Sequence, residues 1–329
     1  MTTRCFFWGL ILLGSCCGGM GQEVLALQKT IALAGVEGRF DHAAADEATH
    51  RLFFAALGNN TLEVVDLAGG KRLHTITGLK EPTGVAFLPE EKLLVVASGG
   101  DGSCRFYDAT TYAEKGRVKE LEDADNVRFD AKAKRVYVGY GEGALGVIDA
   151  TTMKLVRSIA LPKHPESFQL ERNGPRIFVN VPGAKQIAVI DREEGKVVAR
   201  WPLTDFTANF PMALDEAGHR LFVGCRSPAR LLVIDTKAGG RVADAPLSGD
   251  IDDLFFEREG ARLLASCGEG FIDLFRVDPA GHATRTSKTK SAGGARTSFF
   301  NPSLGYALAV PHRGGQGAEI RLFQTAPGP

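Results

Sequence analysis

The chain has 329 residues, and its 39 basic and 39 acidic side chains give a formal net charge of zero. This balance does not favour nucleic acid or an anionic membrane surface as a partner, since both attract proteins with an excess of basic residues. The length would allow two domains, but a repeat that runs through most of the chain favours one closed domain.

The N-terminus has the pattern of an export signal. One base, Arg4, is followed by an apolar run from Cys5 to Leu13 and then by small residues, as in a secretory signal peptide. That run is too short to span a membrane. Two endings fit the pattern: ordinary cleavage after residue 21, or lipid attachment at Cys16, which follows Leu-Gly-Ser as in a bacterial lipoprotein box. We predict a signal peptide over 1–21 and a mature chain over 22–329 that is periplasmic or extracellular, either free or lipid-anchored.

An apolar strand that ends on an acid recurs along the mature chain. It reads Val-Ile-Asp at 147–149, and near-copies follow at 189–191 and 233–235. The spacing of about 42 residues is what four short strands and their turns need in a propeller blade. Each copy follows another apolar strand, such as 94–97 or 136–138, whose unbroken hydrophobicity indicates burial on both faces. Seven such second strands predict seven blades.

Blade 2 displays the order of strands most plainly. Residues 82–87 form the innermost strand, 92–97 the second, 103–107 the third and 115–118 the outer one, with Gly, Pro or Asp at the breaks. Residues 28–33 alternate as a strand without a blade of their own. We predict that they form the outer strand of the last blade, because this leaves the ring without a free edge. The expected fold is an all-β, seven-bladed β-propeller of four-stranded antiparallel blades, closed by the N-terminal strand.

The three cysteines of the mature chain are predicted to be free. An odd number, Cys104, Cys225 and Cys267, cannot form a complete disulfide framework. Cys225 and Cys267 end corresponding strands in successive blades, about 10 Å apart if the blades pack as stacked sheets. That separation is too large for a bridge, so we expect three small buried residues.

The repeats resemble a known family. Pro-x-Gly-Val-Ala-Phe at 82–87, an apolar second strand, a Gly/Asn turn and Val-Ile-Asp-x-x-x-x-Lys-Val-Val at 189–198 are similar to the YVTN-type β-propeller repeats of exported bacterial and archaeal proteins. The resemblance covers 28–324 and implies a propeller. It implies no single activity, because related propellers serve as scaffolds, surface-layer parts, lactonases and haem or quinone enzymes. Blade 6 departs from the pattern at Arg276, and blade 7 has a longer Gly-rich turn at 312–317.

Acidic residues predominate where the innermost strands begin. In a propeller these positions face the central channel, and four of the seven aligned residues are acids. Like charges that converge there raise carboxylate pKa values or recruit a cation. The aligned residues are Asp41, Thr83, Asp125, Glu166, Phe210, Asp252 and Arg296, and those that follow them are His42, Gly84, Asn126, Ser167, Pro211, Asp253 and Thr297.

We interpret this end of the channel as a candidate site for a small polar ligand or a divalent cation. Oxygen-rich sites suit calcium or magnesium, and the candidate metal ligands are Asp41, Asp125, Glu166 and Asp252. The remaining candidate ligand-binding residues are His42, a nitrogen ligand, Arg296, an anion clamp, and Asn126 and Asp253. The alternative is that ordered water solvates these strand ends, with Arg296 neutralising its acidic neighbours.

One further histidine is expected at the same end of the channel. His164 precedes Pro165 and Glu166, and it would act as an axial ligand or general base if a cofactor entered. The sequence has no Cys-x-x-Cys-His, so covalent haem attachment is excluded, and Gly-x-Ser-x-Gly and His-Glu-x-x-His are also missing. No catalytic residue is assigned.

The sequence therefore favours an exported, non-enzymatic, monomeric propeller that holds a small polar ligand or an envelope protein. We expect no nucleic-acid partner, and contact with the membrane only through an N-terminal lipid. The alternative is a metal-assisted hydrolase of the lactonase type, in which the four candidate metal ligands hold a cation that polarises a carbonyl.

Overall fold

The computed structural model describes residues 23–313 and 317–327. Its strands form seven four-stranded antiparallel sheets arranged as the blades of a propeller, which confirms the predicted fold class. The described residues contain no α-helix, and none of their helical turns has the length and hydropathy of a membrane span. Short 3-10 helices cover Glu47–Thr49, Leu57–Asn59, Gly99–Asp101 and Pro182–Ala184. The predicted signal peptide, with Cys16, and residues 314–316 of the Gly-rich turn lie outside the described residues.

Blades 1 to 4 each take four consecutive strands, from the innermost outward. Blade 1 has β2 (Ala43–Asp46), β3 (Arg51–Ala56), β4 (Thr61–Asp66) and β5 (Lys71–Ile76). Blade 2 has β6 (Pro82–Leu88), β7 (Leu93–Ser98), β8 (Ser103–Asp108) and β9 (Glu114–Val118). Blade 3 has β10 (Val127–Asp130), β11 (Arg135–Tyr140), β12 (Ala144–Asp149) and β13 (Lys154–Ala160). Blade 4 has β14 (Phe168–Leu170), β15 (Arg176–Val181), β16 (Gln186–Asp191) and β17 (Lys196–Pro202).

Blades 5 and 6 keep this order, and blade 7 draws on both ends of the chain. Blade 5 has β18 (Thr207–Asp215), β19 (Arg220–Ser227), β20 (Ala229–Asp235) and β21 (Arg241–Pro246). Blade 6 has β22 (Ile251–Glu257), β23 (Arg262–Cys267), β24 (Phe271–Val277) and β25 (Ala283–Lys290). Blade 7 has β26 (Ser298–Asn301), β27 (Gly305–Val310), β28 (Ala318–Pro327) and, outermost, β1 (Glu23–Leu33).

The N-terminal strand closes the ring as predicted. β1 pairs antiparallel with β28 from Glu23, opposite Pro327, to Leu33, opposite Ala318. It begins five residues before the predicted strand, because β28 is long enough to offer it a partner over that length. The outer edge of blade 7 is thereby covered by main-chain hydrogen bonds.

The core consists of seven apolar clusters, one in each gap between neighbouring blades. Second strands are buried on both faces, and all six residues of β7 are buried. Outer strands are largely solvated, as β13 illustrates. This gradient explains why the second strands read as continuous apolar runs, since each is sandwiched between two other blades.

The three mature cysteines are buried and free, as predicted. Burial raises the pKa of the Cys104 thiol to about 12, so it stays protonated at neutral pH. Thiolate chemistry at this position is therefore suppressed.

Candidate ligand and metal site at the channel mouth

All seven residues aligned at the start of the innermost strands line one cavity of about 240 Å³. We call this cavity the channel mouth. It is lined by Arg39, Asp41, His42, Thr83, Asp123, Asp125, Asn126, His164, Glu166, Ser167, Phe210, Arg226, Asp252 and Arg296.

Backbone hydrogen bonds to the second strand hold these positions in register. The amide of Asp41 donates to the carbonyl of Ala55 at 2.9 Å, and the amide of Ala55 donates back to His42 at 3.0 Å. Blade 3 repeats the pattern, with the amide of Asp125 donating to Gly139 at 2.9 Å. Each side chain thus leaves a rigid, paired stretch of backbone, which fixes its direction toward the channel.

Neighbouring blades approach closely at this end of the channel. The hydroxyl of Thr83 donates to the carbonyl of Ala124 at 2.7 Å. A Cβ on Gly84 would lie 2.1 Å from the carbonyl oxygen of Asp125, so only glycine fits between blades 2 and 3 there.

Carboxylates and histidines gather on one side of the mouth, which we call the acidic half: Asp41, His42, Asp125, His164 and Glu166. The Nε2 atom of His42 lies 3.4 Å from Asp41 Oδ1 and 3.7 Å from Asp125 Oδ1. Two sets could each hold a metal ion, with ligand atoms within 4.8 Å of one another: Asp41, His42 and Asp125, and Asp125, His164 and Glu166. Asp125 belongs to both sets and lies between them.

The tautomer of His164 follows from its hydrogen bond. Its Nδ1 lies 2.7 Å from the carbonyl oxygen of Gly141, and a carbonyl only accepts, so Nδ1 carries the hydrogen. In the neutral ring, the Nε2 lone pair is left 4.0 Å from Asp125 Oδ2. A cation between these two atoms would bind both of them, and metal-bound histidines are commonly oriented by such a backbone contact.

Asn126 supplies a buried acceptor without a partner. The residue is 1% exposed, and its Oδ1 has no hydrogen-bond partner within the described parts of the chain. Its Nδ2 lies 3.5 Å from Asp125 Oδ2. An unsatisfied buried oxygen is costly, so this part of the wall is suited to a bound cation or donor.

Burial dominates the electrostatics of the acidic half. It raises the pKa of Asp41 to about 6, and burial together with the charges of Asp252 and Asp41 raises that of Glu166 to about 8. Burial, reinforced by Asp41 and Glu166, also raises the pKa of Asp125 well above its usual range. The pKa of His42 falls to about 4, again mainly through burial. Ionising any of these carboxyls is therefore unfavourable unless a cation offsets the negative charge, whereas burial holds His42 in its neutral form.

Arginines and acids pair on the opposite side, which we call the arginine half: Arg226, Arg296, Asp250 and Asp252. Arg296 donates to Asp250 Oδ1 at 2.8 Å and lies 3.0 Å from Asp252 Oδ2 through its Nε. Arg226 also donates to Asp252, and its guanidinium lies 4.2 Å from the centre of the Phe210 ring. Asp252 is thus engaged by two guanidinium groups and belongs to neither metal-capable set.

The predicted residues therefore separate into three places. Four of them, Asp41, His42, Asp125 and Glu166, come together in the acidic half with Asn126 beside them, whereas Asp252 and Arg296 lie in the arginine half. Asp253 lies deeper in the channel, where its Oδ2 accepts from the amide of Ser298 at 2.6 Å.

Sequence reasoning missed two partners of the arginine half. Arg226 lies near the end of the second strand of blade 5, and Asp250 lies in the turn before β22. The one signal was a charged residue directly after the buried run 221–225, and nothing in that pattern indicates that the side chain turns into the channel.

Comparisons with known proteins support the fold alone. No protein-family model and no curated protein sequence matches the chain. A structure titled Kuenenia stuttgartiensis hydrazine synthase superposes with a TM-score of 0.74 at 17% identity, covering 84% of this chain and 95% of that one. A chain of a mitotic checkpoint complex gives a TM-score of 0.78 at 10% identity and covers 98% of this chain and 100% of its own. Both are similar to this chain as propellers, and neither identity is high enough to carry a function.

Proposed function

We propose that this protein is a binding propeller that holds a small polar ligand at the channel mouth through one divalent cation. The observation that carries the proposal is the pair of carboxylate and histidine sets that share Asp125. The lone pair of His164 and the unpartnered oxygen of Asn126 support it, because both face a place where positive charge would be stabilising.

The donor set favours Zn²⁺ or Mn²⁺ over the calcium or magnesium expected from the sequence. Each of the two sets contains a histidine, and imidazole with carboxylate suits zinc and manganese, whereas calcium and magnesium prefer oxygen alone. The proposal leaves Asp252 out of the cation's ligands, because two arginines already engage it.

Titration of the mature chain, residues 22–329, with Zn²⁺, Mn²⁺, Ca²⁺ and Mg²⁺ tests the cation. We expect one equivalent of Zn²⁺ or Mn²⁺ by calorimetry, and at least about tenfold weaker binding in Asp125→Asn, since a shared ligand is worth more than about 1.4 kcal/mol. Glu122→Gln changes an exposed acid three residues away and serves as the control. Wild-type affinity in Asp125→Asn, or an equal loss in Asp252→Asn, would contradict the proposal.

The bound ligand is tested on protein taken from the cell envelope. Its native mass should exceed its denatured mass by an ion plus a small molecule, and the excess should disappear in Asp125→Asn. Equal native and denatured masses would favour an envelope protein as the partner.

Export is part of the proposal. The leader pattern at 1–21 and the resemblance of the repeats to YVTN-type propellers of exported proteins support it. Fractionation of cells that produce the full chain should place it in the envelope, and labelling with a radioactive fatty acid should separate lipid attachment at Cys16 from ordinary cleavage.

Metal-assisted hydrolysis of the lactonase type is the second candidate, and the pKa of Glu166 favours it. In the metal-free site the pKa of Glu166 is about 8. A cation held by Asp41, His42 and Asp125 would lower that pKa toward neutrality, where the carboxyl can act as a general acid or base while the cation polarises a carbonyl. Hydrolysis of a lactone panel by the metal-loaded chain tests it. Glu166→Gln should lower turnover more than it lowers metal content, and no turnover in the wild type would exclude those substrates.

A further inference from the structure

A second chamber lies deeper in the channel, below the mouth. Its volume is about 330 Å³, at the lower end of the range for small-molecule pockets, roughly 300 to 1,000 Å³. Its wall is mainly apolar, in contrast to the channel mouth. We call it the inner chamber, and the residues that define it are Ala86, Arg128, Gln169, Met212, Phe255 and Phe299.

The repeat explains why this space is open and apolar. A second set of aligned residues lies three positions beyond the channel mouth on the innermost strands, and Arg128 is the one charged residue among the seven. Six of the seven line the chamber, whereas Ala213 is buried between blades 5 and 6. Alanines leave space at this level, and two phenylalanines line it. The aligned residues are Ala44, Ala86, Arg128, Gln169, Ala213, Phe255 and Phe299.

Arg128 forms no ion pair with a carboxylate in the described parts of the chain, and the charges of Asp253 and Asp125 act on it only from beyond ion-pair distance. Its guanidinium donates to the carbonyl of Val127 at 2.8 Å and to the hydroxyl of Ser167 at 3.5 Å, and it lies 5.6 Å from the centre of the Phe168 ring. These contacts fix the group but leave several of its N–H donors without an acceptor in the described parts of the chain. The arginines of the mouth differ, because Arg226 and Arg296 are both paired with acids.

The acid nearest to this guanidinium in the chamber forms no ion pair with it. The carboxylate oxygens of Asp253 lie more than 4.0 Å from the nitrogens of Arg128, and the carboxyl instead accepts from the amide of Ser298. Arg128 is therefore a fixed, partly buried cation with donors to spare, and such a cation is stabilised by an anion within hydrogen-bond distance.

We propose that the inner chamber binds a small aromatic monocarboxylate, with its carboxylate on Arg128 and its ring against Phe255 and Phe299. The centres of the two phenyl rings are 6.4 Å apart at an interplanar angle of 62°. Phe255 also packs on Phe300 and Tyr306, but Phe255 and Phe299 are both partly exposed to the chamber and can contact another aromatic group. Guanidinium binds carboxylate in a bidentate manner. This site does not depend on a cation at the channel mouth.

Phenylacetate is the probe, and phenylacetamide is its uncharged match. Ligand-observed NMR and calorimetry on the mature chain should give saturable one-to-one binding of phenylacetate. Phenylacetamide should bind about tenfold to a hundredfold more weakly, since hydrogen bonds to a charged group contribute that much. Absence of saturable phenylacetate binding, or equal affinity for the amide, would overturn the proposal.

Variants locate the site. Arg128→Gln should weaken phenylacetate binding by the same factor. Arg200 is an exposed arginine on β17, and Arg200→Gln should bind phenylacetate as the wild type does. Ala86→Leu keeps the charge but fills the chamber and should also abolish binding, which keeps the test decisive if Arg128→Gln folds poorly. Wild-type affinity in Ala86→Leu would place the ligand elsewhere and overturn the assignment.

Discussion

Glu166 illustrates how one buried acid links stability to pH. Its pKa lies at about 8 in the folded chain against an ordinary value of 4.5, so between these pH values the folded chain retains a proton that the unfolded chain has lost. The contribution of this proton is fully present below pH 4.5 and is lost as the pH rises through 8. Asp41 acts in the same direction between 3.8 and about 6.

We therefore predict that Glu166→Gln is more stable than the wild type at pH 8.5 and nearly equal to it at pH 4. The gain should be a few kcal/mol at most, because a pKa unit corresponds to about 1.4 kcal/mol. Urea unfolding at the two pH values measures it, with Glu122→Gln as the control. A variant that is less stable at pH 8.5 would show that ionised Glu166 is well solvated or paired.

Glu63 is a buried charge of a different kind, because its partners satisfy it. It is fully buried and accepts from the hydroxyls of Thr61 at 2.6 Å and Thr75 at 2.8 Å, and from Arg72 at 3.2 Å. We predict that Glu63→Ala lowers the free energy of unfolding by about 3 kcal/mol, since it leaves these donors unpaired.

Glu114→Ala is the matched control for Glu63→Ala. Glu114 pairs with Arg117 through two hydrogen bonds, but both side chains are about one-third exposed. Its loss should cost less than about 1 kcal/mol. Equal effects of the two substitutions in denaturant titrations would mean that burial of Glu63 adds nothing to its pairing.

At the scale of the element, β1 is the strand on which closure depends. Leu33 is fully buried between blades 7 and 1, whereas Leu27 on the same strand is 52% exposed. We predict that Leu33→Ala costs about 2–5 kcal/mol, the range for a buried leucine, and that Leu27→Ala costs less than about 0.5 kcal/mol. Thermal unfolding monitored by circular dichroism compares them, and similar costs would mean that β1 is not docked as described.

At the scale of the whole molecule, closure should make the ring unfold as one unit. Residues 22–329 contain a single tryptophan, Trp201, in blade 4, remote in the ring from blade 7. Its indole packs on the Phe178 ring, with the two ring centres 5.4 Å apart. If the seven apolar clusters unfold together, Leu33→Ala should lower the thermal unfolding midpoint measured by Trp201 fluorescence as much as the midpoint measured by circular dichroism. A fluorescence midpoint that does not move would mean that blade 4 unfolds independently of the closing strand.

The sequence by itself determined the ring. Seven blades were predicted from the repeat of about 42 residues and the seven apolar second strands, because a strand buried on both faces has a continuous apolar sequence. Closure was predicted from the strand at 28–33, which has no blade of its own. The sequence also predicted that one position per repeat lines the channel mouth, although Arg226 was missed there and Asp253 lies deeper.

Only the tertiary structure decided which of those residues act together. Asp125 joins two histidine-containing sets, one of which brings it together with Asp41 and His42 of blade 1, and Asp252 is engaged by Arg226 of the neighbouring blade. The sequence could not predict the hydrogen bond that orients His164 or the lack of an ion pair at Arg128 either. Each depends on which atoms a side chain meets in the folded ring, and the period of a repeat specifies direction toward the axis but not the partner met there.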